Sequence, residues 1–196
     1  RIAVQLLHVN IVQVFDLGEM RGVETTRANI RALAALLQLP ERGKHLEGAY
    51  VRNLRALDLA VPDEDMPLGV YVSIYGDNLF GGSAGTSYED LLHYGGVADL
   101  AATQGYTGWP RYSHEAFVQL DPALVVTQEN MGAVLCGHAV IGQIAACQPG
   151  GRVIEVPGKA HSDPGLGLVQ AAQDIQDLVH GTRPGGGSTS HSAGAP

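Results

Sequence analysis

Short runs of β-branched residues alternate with segments of helical periodicity through most of this chain. The strand-like runs are GVYVSIY (69–75), ALVVT (123–127) and RVIEV (152–156), each bounded by Gly, Pro, Asn or Asp. Helices are predicted at 87–94, 113–119, 132–147 and 165–180, with a Gly-rich loop at 76–86 and a second loop at 105–112. This alternation predicts an α/β fold in which helices cover a mainly parallel sheet.

The first sixty residues have longer elements. A buried strand is predicted over residues 9–15, and a helix from Thr25 or Thr26 to Gln38. Pro40 then punctuates the chain before a second helix that ends near residue 59. At the other end, the segment from Gly181 is too poor in apolar residues to fold, so a disordered tail is expected there.

Charge and hydropathy exclude two classes of partner. The formal net charge is −8, and the 12 Lys and Arg residues are scattered, so no basic stripe is available for nucleic acid. The apolar stretch 131–151 is interrupted by Gly, His, Gln and Pro, which indicates a buried helix and not a membrane span.

The chain has two cysteines, Cys136 and Cys147. Both fall in the predicted helix 132–147, where eleven residues rise about 16 Å. A disulfide does not span that distance, so two buried free thiols are expected.

Three segments carry a resemblance to a known family. They are GTSYEDLLHYGGVADLAA (85–102), SHEAFVQLDPALVVT (113–127) and GGRVIEVPGKAHSDPGLGLVQAAQDIQDLVHG (150–181). In this order, a Gly-Thr loop opens a helix that ends in Gly-Gly, a Ser-x-Glu opens a short helix, and Asp-Pro precedes a strand. The succession resembles the C-terminal lobe of class III periplasmic binding proteins, which capture iron-siderophores, haem or cobalamin.

The resemblance implies a division of the chain. Residues 1–38 would be the end of an N-terminal lobe, 39–60 a long linker helix, 61–181 a Rossmann-like C-terminal ligand-binding lobe, and 182–196 a disordered tail. The family's N-terminal lobe is larger than residues 1–38, so one wall of the ligand cleft would lie outside this chain.

The resemblance also implies a non-catalytic function with no intrinsic cofactor. The chain would be the substrate-binding component of an ABC-type importer that delivers a ferric siderophore, haem or cobalamin-like ligand to a membrane permease. Its location would be periplasmic, or that of an extracytoplasmic lipoprotein. Glu115 matches an exposed Glu that, in the family, pairs with an Arg of the permease. Glu115 also lies in the first turn of a helix capped by Ser113, where the helix dipole stabilises an acid.

Candidate ligand contacts lie on loops at the carboxyl ends of the predicted strands, where open α/β sheets bind ligands. Aromatic rings with a few polar groups suit a flat or chelated ligand, although each ring could instead pack in the core. The candidates are Tyr75, Asn78, Phe80, Tyr106, Trp109, Tyr112, Glu129 and Asn130.

A serine hydrolase is one alternative. Gly81–Gly85 matches the G-x-S-x-G nucleophile elbow, and Asp99, His161 and Asp163 lie downstream. The elbow serine should follow a strand directly, whereas several residues separate Ser83 from the preceding predicted strand. No oxyanion-hole motif precedes it.

A zinc or manganese receptor is a second alternative because the chain has eight histidines. They show no short ligand spacing, and no metal ligand is assigned from the sequence. A set assembled by folding stays open, with His114 and His161 the most plausible members. His93 and His138 fall in predicted helices, which is typical of surface or core histidines. The third alternative is that the chain is a structural or interaction module with no ligand of its own to transport.

Overall fold

A computed structural model describes residues 3–8, 11–15, 22–157 and 165–181. The elements are β1 (Ala3–His8), β2 (Ile11–Phe15), α1 (Val23–Leu36), α2 (Pro40–Asp58), β3 (Leu68–Tyr75), β4 (Asn78–Gly81), α3 (Ser87–Tyr94), β5 (Ala98–Asp99), α4 (Leu100–Thr103), β6 (Arg111–Tyr112), α5 (His114–Leu120), β7 (Leu124–Gln128), α6 (Gly132–Gly137), β8 (Arg152–Val156) and α7 (Leu168–His180). Three 3₁₀ helices cover Asp63–Asp65, Ile141–Gln143 and Ala145–Cys147. None of the described helices is long and apolar enough to cross a membrane.

The main sheet has the strand order β6-β4-β3-β7-β8, and β5 pairs with the start of β3. Strands β3, β7 and β8 are parallel, whereas β4 is antiparallel to both β3 and β6. The predicted α/β class and helix-covered, mainly parallel sheet are confirmed. Two predicted loops were wrong in part, because 76–86 contains β4 and 105–112 ends in β6.

Helices cover both faces of this sheet. Alternate residues of a strand point to opposite faces, and β3 is buried on both. Val70, Val72 and Ile74 belong to a core that includes residues of α4, α5 and α6. Tyr71 belongs to a second core that includes residues of α2, α3 and α7. This part of the fold therefore has three layers, with helices on both sides of the sheet.

The predicted start of α1 was displaced by a cap from a distant helix. The carboxylate of Asp90 on α3 accepts the backbone N–H of Val23 at 2.7 Å. The hydroxyl of Thr26, a predicted cap, instead donates to the carbonyl of Gly22 at 3.1 Å. A cap that lies 67 residues away along the chain cannot be found from local spacing.

The predicted strand 9–15 is present in part as β2, which pairs in an antiparallel hairpin with β1. Residues 9 and 10 and the predicted tail 182–196 lie outside the described residues. The helix predicted to follow Pro40 and to end near residue 59 is confirmed as α2, a helix of 19 residues.

The predicted helix 132–147 and its two free thiols were wrong. Helix α6 ends at Gly137, and the chain folds back so that Cys136 and Cys147 form a disulfide with a Cα–Cα distance of 5.4 Å. Gly142 makes the return possible, because a Cβ at that position would lie 2.3 Å from the carbonyl oxygen of Cys136. Glycine inside an apolar run was the signal in the sequence that the helix would break.

Ion pairs join α1 to α2. The carboxylate of Glu47 accepts from Arg27 at 2.9 Å and from Arg31 at 2.8 Å. Hydrogen bonds from Arg31 and Arg27 lower the pKa of Glu47 from 4.5 to about 2. The carboxylate form is therefore favoured in the folded chain.

Replacing Glu47 with Gln should remove a stabilising effect that depends on pH. Because the folded pKa is the lower one, the effect is fully present above about pH 4.5 and is lost as the pH falls towards about 2. Urea unfolding of both proteins across this range should show their stability difference shrinking on acidification. A difference that stays constant over that range would contradict the assignment.

Candidate functional site

A tight hairpin places polar groups at the carboxyl end of β3. Tyr75 pairs with Asn78, so Gly76 and Asp77 form a two-residue loop between β3 and β4. Gly76 has a φ of 59°, the left-handed conformation that hairpin turns of this kind require. The side chain of Asp77 is 80% exposed at the tip of this loop.

Strand β6 brings a second chain segment to the same edge. Arg111 and Tyr112 pair with Phe80 and Leu79 of β4, and α5 begins directly afterwards. The hydroxyl of Ser113 accepts the N–H of Ala116 at 3.1 Å and caps α5 as predicted. An open groove results, lined by Asp77, Asn78, Arg111, Tyr112, Ser113, His114 and Glu115.

The groove carries charges of both signs. The Arg111 guanidinium donates to the side-chain oxygen of Asn78 and lies 6.0 Å from the ring centre of Phe80. Within the described part of the chain, Arg111 forms no ion pair with a carboxylate. Hydrogen bonds from its own backbone N–H and from the Ser113 hydroxyl lower the pKa of Glu115, which is exposed and anionic. Arg111 was not predicted as a site residue, although it lies within the predicted loop 105–112, between Trp109 and Tyr112.

Two imidazoles flank Asp77 beside this groove. Nε2 of His138 lies 3.5 Å from Oδ1 of Asp77, and Nε2 of His114 lies 3.8 Å from the same atom. The ring centres of the two histidines are 4.5 Å apart. Ligand atoms of all three residues fall within 4.8 Å of one another, an arrangement that could hold a metal ion. His138 reaches this place because α6 ends one residue before it.

Several predicted contacts do lie at the carboxyl edge. Tyr75 is 55% exposed and its ring meets Phe80 edge-on at 6.0 Å. Asn78 lines the groove, with its side-chain amide donating to the carbonyl of Tyr75. Glu129 and Asn130 follow β7 at the same edge, and both are exposed. These positions fit the predicted placement, and their contact with a ligand stays a prediction.

Trp109 lies elsewhere. The backbone before β6 runs back along β4 and its loop, where the N–H of Ser83 donates to the carbonyl of Gly108 at 3.0 Å. The Trp109 ring is edge-on to Tyr88 at 5.2 Å, and Tyr88 stacks on Tyr71 at 3.8 Å. Tyr71 precedes Tyr75 by four residues, or about 13 Å of strand. Along the backbone, the predicted set therefore divides into a group at the carboxyl edge and an aromatic surface made by Trp109 and Tyr88, on which Trp109 is 56% exposed.

Two of the predicted rings pack against the core, Tyr112 as a buried residue and Tyr106 as a half-buried one. Tyr112 is 4% exposed, and burial raises the pKa of its hydroxyl. Its ring meets Tyr106 at 5.2 Å and Phe117 at 5.4 Å. Both tyrosine rings therefore pack against the residues beneath the sheet edge. This is the alternative to ligand contact that the sequence left open for each aromatic ring.

Ser83 is buried and not presented as a nucleophile. It is 0% exposed, and its hydroxyl donates to Oδ2 of Asp99 at 2.6 Å. The other carboxylate oxygen of Asp99 accepts the N–H of Ala101 at the start of α4. The motif 81–85 is therefore linked through the Asp99 carboxylate to the start of α4. His161 and Asp163 lie outside the described residues.

No protein-family model matches this sequence, and no curated protein matches it by sequence. Solved structures do match its fold. A possible iron-binding periplasmic solute-binding protein from Staphylococcus epidermidis aligns with a TM-score of 0.70 and 16% identity over 85% of this chain and 66% of that one. A periplasmic haem-binding protein from Roseiflexus sp. RS-1 gives 0.65 and 16%, covering 80% of this chain and 64% of that one. An ABC transporter substrate-binding protein from Listeria monocytogenes gives 0.70 and 12%, covering 83% and 66%.

These likenesses establish the fold. The described chain has the α/β architecture of periplasmic solute-binding proteins, as the sequence resemblance predicted. It spans about two thirds of the length of these structures.

Proposed function

We propose that this chain is part of the substrate-binding component of an ABC-type importer, and that its ligand is a chelated metal such as a ferric siderophore, haem or a cobalamin-like compound. The main support for this proposal is the fold, which is shared with solved structures described as possible iron-binding, haem-binding and ABC transporter substrate-binding proteins. Such a protein captures its ligand and passes it on, without covalent chemistry. The buried position of Ser83 supports this function over hydrolysis.

The aromatic surface supports a flat or chelated ligand. Trp109 is held edge-on by Tyr88, which is itself stacked on Tyr71, so the indole is supported by a rigid base. A supported, exposed ring loses little conformational entropy when a ligand covers it. The proposal therefore predicts that loss of the Trp109 ring reduces the affinity for the ligand.

The groove supports a ligand that carries acidic groups. Arg111 is a cation whose described partners are a neutral amide and an aromatic ring. A carboxylate of a siderophore or haem could form a bidentate pair with its guanidinium. Glu115, exposed on the first turn of α5, is proposed to dock against a basic residue of the permease.

The remaining parts of the proposal concern domain roles and location. Residues 1–38 would end an N-terminal lobe, α2 would link the lobes, and residues 61–181 would form the ligand-binding lobe. The Cys136–Cys147 disulfide supports an extracytoplasmic location, because disulfides persist in oxidising compartments.

Replacing Trp109 with Ala should weaken chelate binding at least about tenfold, since a buried aromatic contact contributes more than about 1.4 kcal/mol. The measurement is a titration of the chain with haemin, ferric siderophores and cobalamin, followed by the absorbance of each ligand. Ligand absorbance is used because Trp109 is the only tryptophan, so its own fluorescence disappears in the variant.

Leu59→Ala is the matched control. Leu59 is also a large exposed apolar side chain, at 72% exposure, but it lies at the end of α2. The control should bind as the wild type does. Equal losses in both variants, or no saturable binding of any chelate by the wild-type chain, would reject the proposal.

A further inference from the structure

We propose that Asp77, His114 and His138 form a site for one divalent transition-metal ion of the Zn²⁺ type. Asp77 and His114 also line the groove at Arg111, whereas His138 does not, and none of the three contacts the ring of Trp109 in the described aromatic pairs. The metal site does not rest on the proposed function. The three residues come from the β3–β4 loop, the first turn of α5 and the end of α6. Their meeting is a product of the fold, because 61 residues separate the first from the last.

The spacing of the ligand atoms fits a metal better than it fits hydrogen bonds. Oxygen and nitrogen ligands about 2.0–2.1 Å from tetrahedral zinc lie about 3.4 Å from each other. Oδ1 of Asp77 lies 3.5 Å from Nε2 of His138 and 3.8 Å from Nε2 of His114. A hydrogen bond at those lengths is weak or absent. The ligand atoms of the two imidazoles lie within 4.8 Å of each other, so binding would draw the histidine rings as well as the Asp77 loop towards the ion.

A cavity of about 20 Å³ adjoins the three residues. This volume accommodates about one water molecule, and hence one ion, but no larger ligand. Its other walls are apolar or glycine: Ile74, Gly76, Leu79, Val134, Leu135 and Ile141. An apolar wall strengthens the attraction between a cation and the Asp77 carboxylate, because the local dielectric is low.

The site is accessible from one side. The side chain of Asp77 is 80% exposed, whereas those of His114 and His138 are 24% and 29% exposed. The carboxylate would therefore meet the ion first and carry it to two imidazoles that are already placed. Within the described residues, no Lys or Arg forms an ion pair with Asp77, so a divalent ion would supply the missing positive charge.

Metal binding would exchange existing hydrogen bonds. Nε2 of His114 lies 3.0 Å from the carbonyl oxygen of Asp77. Nδ1 of His138 accepts the N–H groups of Val140 and Ile141, each at 3.2 Å. Ligation through Nε2 moves the ring proton of His138 to Nδ1 and gives up those two contacts. We therefore expect moderate affinity, weaker than that of a structural zinc site.

The donor set defines the class of metal. Two imidazole nitrogens and one carboxylate suit Zn²⁺ and its neighbours, whereas Mg²⁺ and Ca²⁺ prefer oxygen ligands only. With three protein ligands, a fourth position would be open to water.

Calorimetric titration of the chain with Zn²⁺ and with Mg²⁺ tests the site. We expect one saturable Zn²⁺ event and no Mg²⁺ heat. His114→Gln, His138→Gln and Asp77→Asn should each weaken that event by about tenfold or more. His93→Gln is the matched control, because His93 pairs with Asp58 at 3.0 Å, its side chain is 43% exposed, and no third ligand lies beside the pair among the described residues. It should leave Zn²⁺ affinity unchanged.

A second readout on the wild-type chain guards against variants that fold poorly. In nitrogen-15 spectra of the imidazole rings, Zn²⁺ should shift the signals of His114 and His138 and leave those of His93 in place. Zn²⁺ binding that survives the double variant His114→Gln/His138→Gln, or shifts confined to other histidines, would overturn the proposal. Chelate binding at Trp109 is measured without free metal, so either proposal can fail while the other stands.

Discussion

A Phe117→Ala variant is expected to unfold with a free energy about 3–5 kcal/mol below that of the wild type. Phe117 is 0% exposed and lies on α5, where it joins the core that includes Val72 and Leu135. Its removal takes away both the burial of an aromatic side chain and the packing of the neighbours around it. The measurement is urea unfolding at equilibrium, followed by far-ultraviolet circular dichroism.

Position and not merely hydrophobicity should decide this effect. Leu59→Ala, at a site that is 72% exposed, should change stability by no more than about 0.5 kcal/mol. Phe117 also holds α5, whose first turn carries His114 and Glu115. Weakened packing there should loosen the groove before the whole lobe unfolds. A loss below about 1 kcal/mol for Phe117→Ala would show that this core is not formed as described.

Removal of the disulfide is expected to cost about 3 kcal/mol. In the loop-entropy account, a cross-link between cysteines 11 residues apart restricts the unfolded chain by about that amount. The bond also closes the segment between α6 and β8, which has little regular structure to hold it. A double variant, Cys136→Ser with Cys147→Ser, should therefore have a lower unfolding midpoint in urea.

Reductant provides the internal check. Reduced wild type and the double serine variant should unfold at similar urea concentrations, and reductant should leave the variant unaffected. If reductant does not change the wild-type midpoint, the bond is absent or contributes nothing. Because His138 lies two residues after Cys136, the variant should also bind Zn²⁺ less tightly.

Local patterns were sufficient where a residue acts through its neighbours in sequence. Ser113 caps α5, as predicted, by accepting the N–H of a residue three positions ahead, and the predicted start of α3 at Ser87 is correct. Strand β7 is a nearly continuous apolar run and β8 is rich in β-branched residues, and both were predicted within a residue or so. These features depend on backbone chemistry and on periodicity, which the sequence displays directly.

Local sequence patterns did not predict in the same way where the candidate site residues lie. The carboxyl-edge rule put Tyr75, Asn78 and Glu129 where they are, because parallel strands end at one edge. It failed for Trp109, since the chain before β6 runs back along β4 and its loop, and β4 was not foreseen. Short strands such as β4 and β6 form through pairing with β3, so their own sequences carry a weak signal.

The sequence by itself determined the α/β class, the main helices and strands, and a resemblance that the solved structures support at the level of the fold. Tertiary structure alone decided the Cys136–Cys147 bond and the meeting of Asp77, His114 and His138. A glycine-dependent reversal after α6 brings Cys147 back to Cys136. The three side chains meet because the β3–β4 hairpin and the pairing of β4 with β6 bring the Asp77 loop and the start of α5 to the end of α6. In both cases the groups come from separate elements, and no local propensity specifies the distance between them.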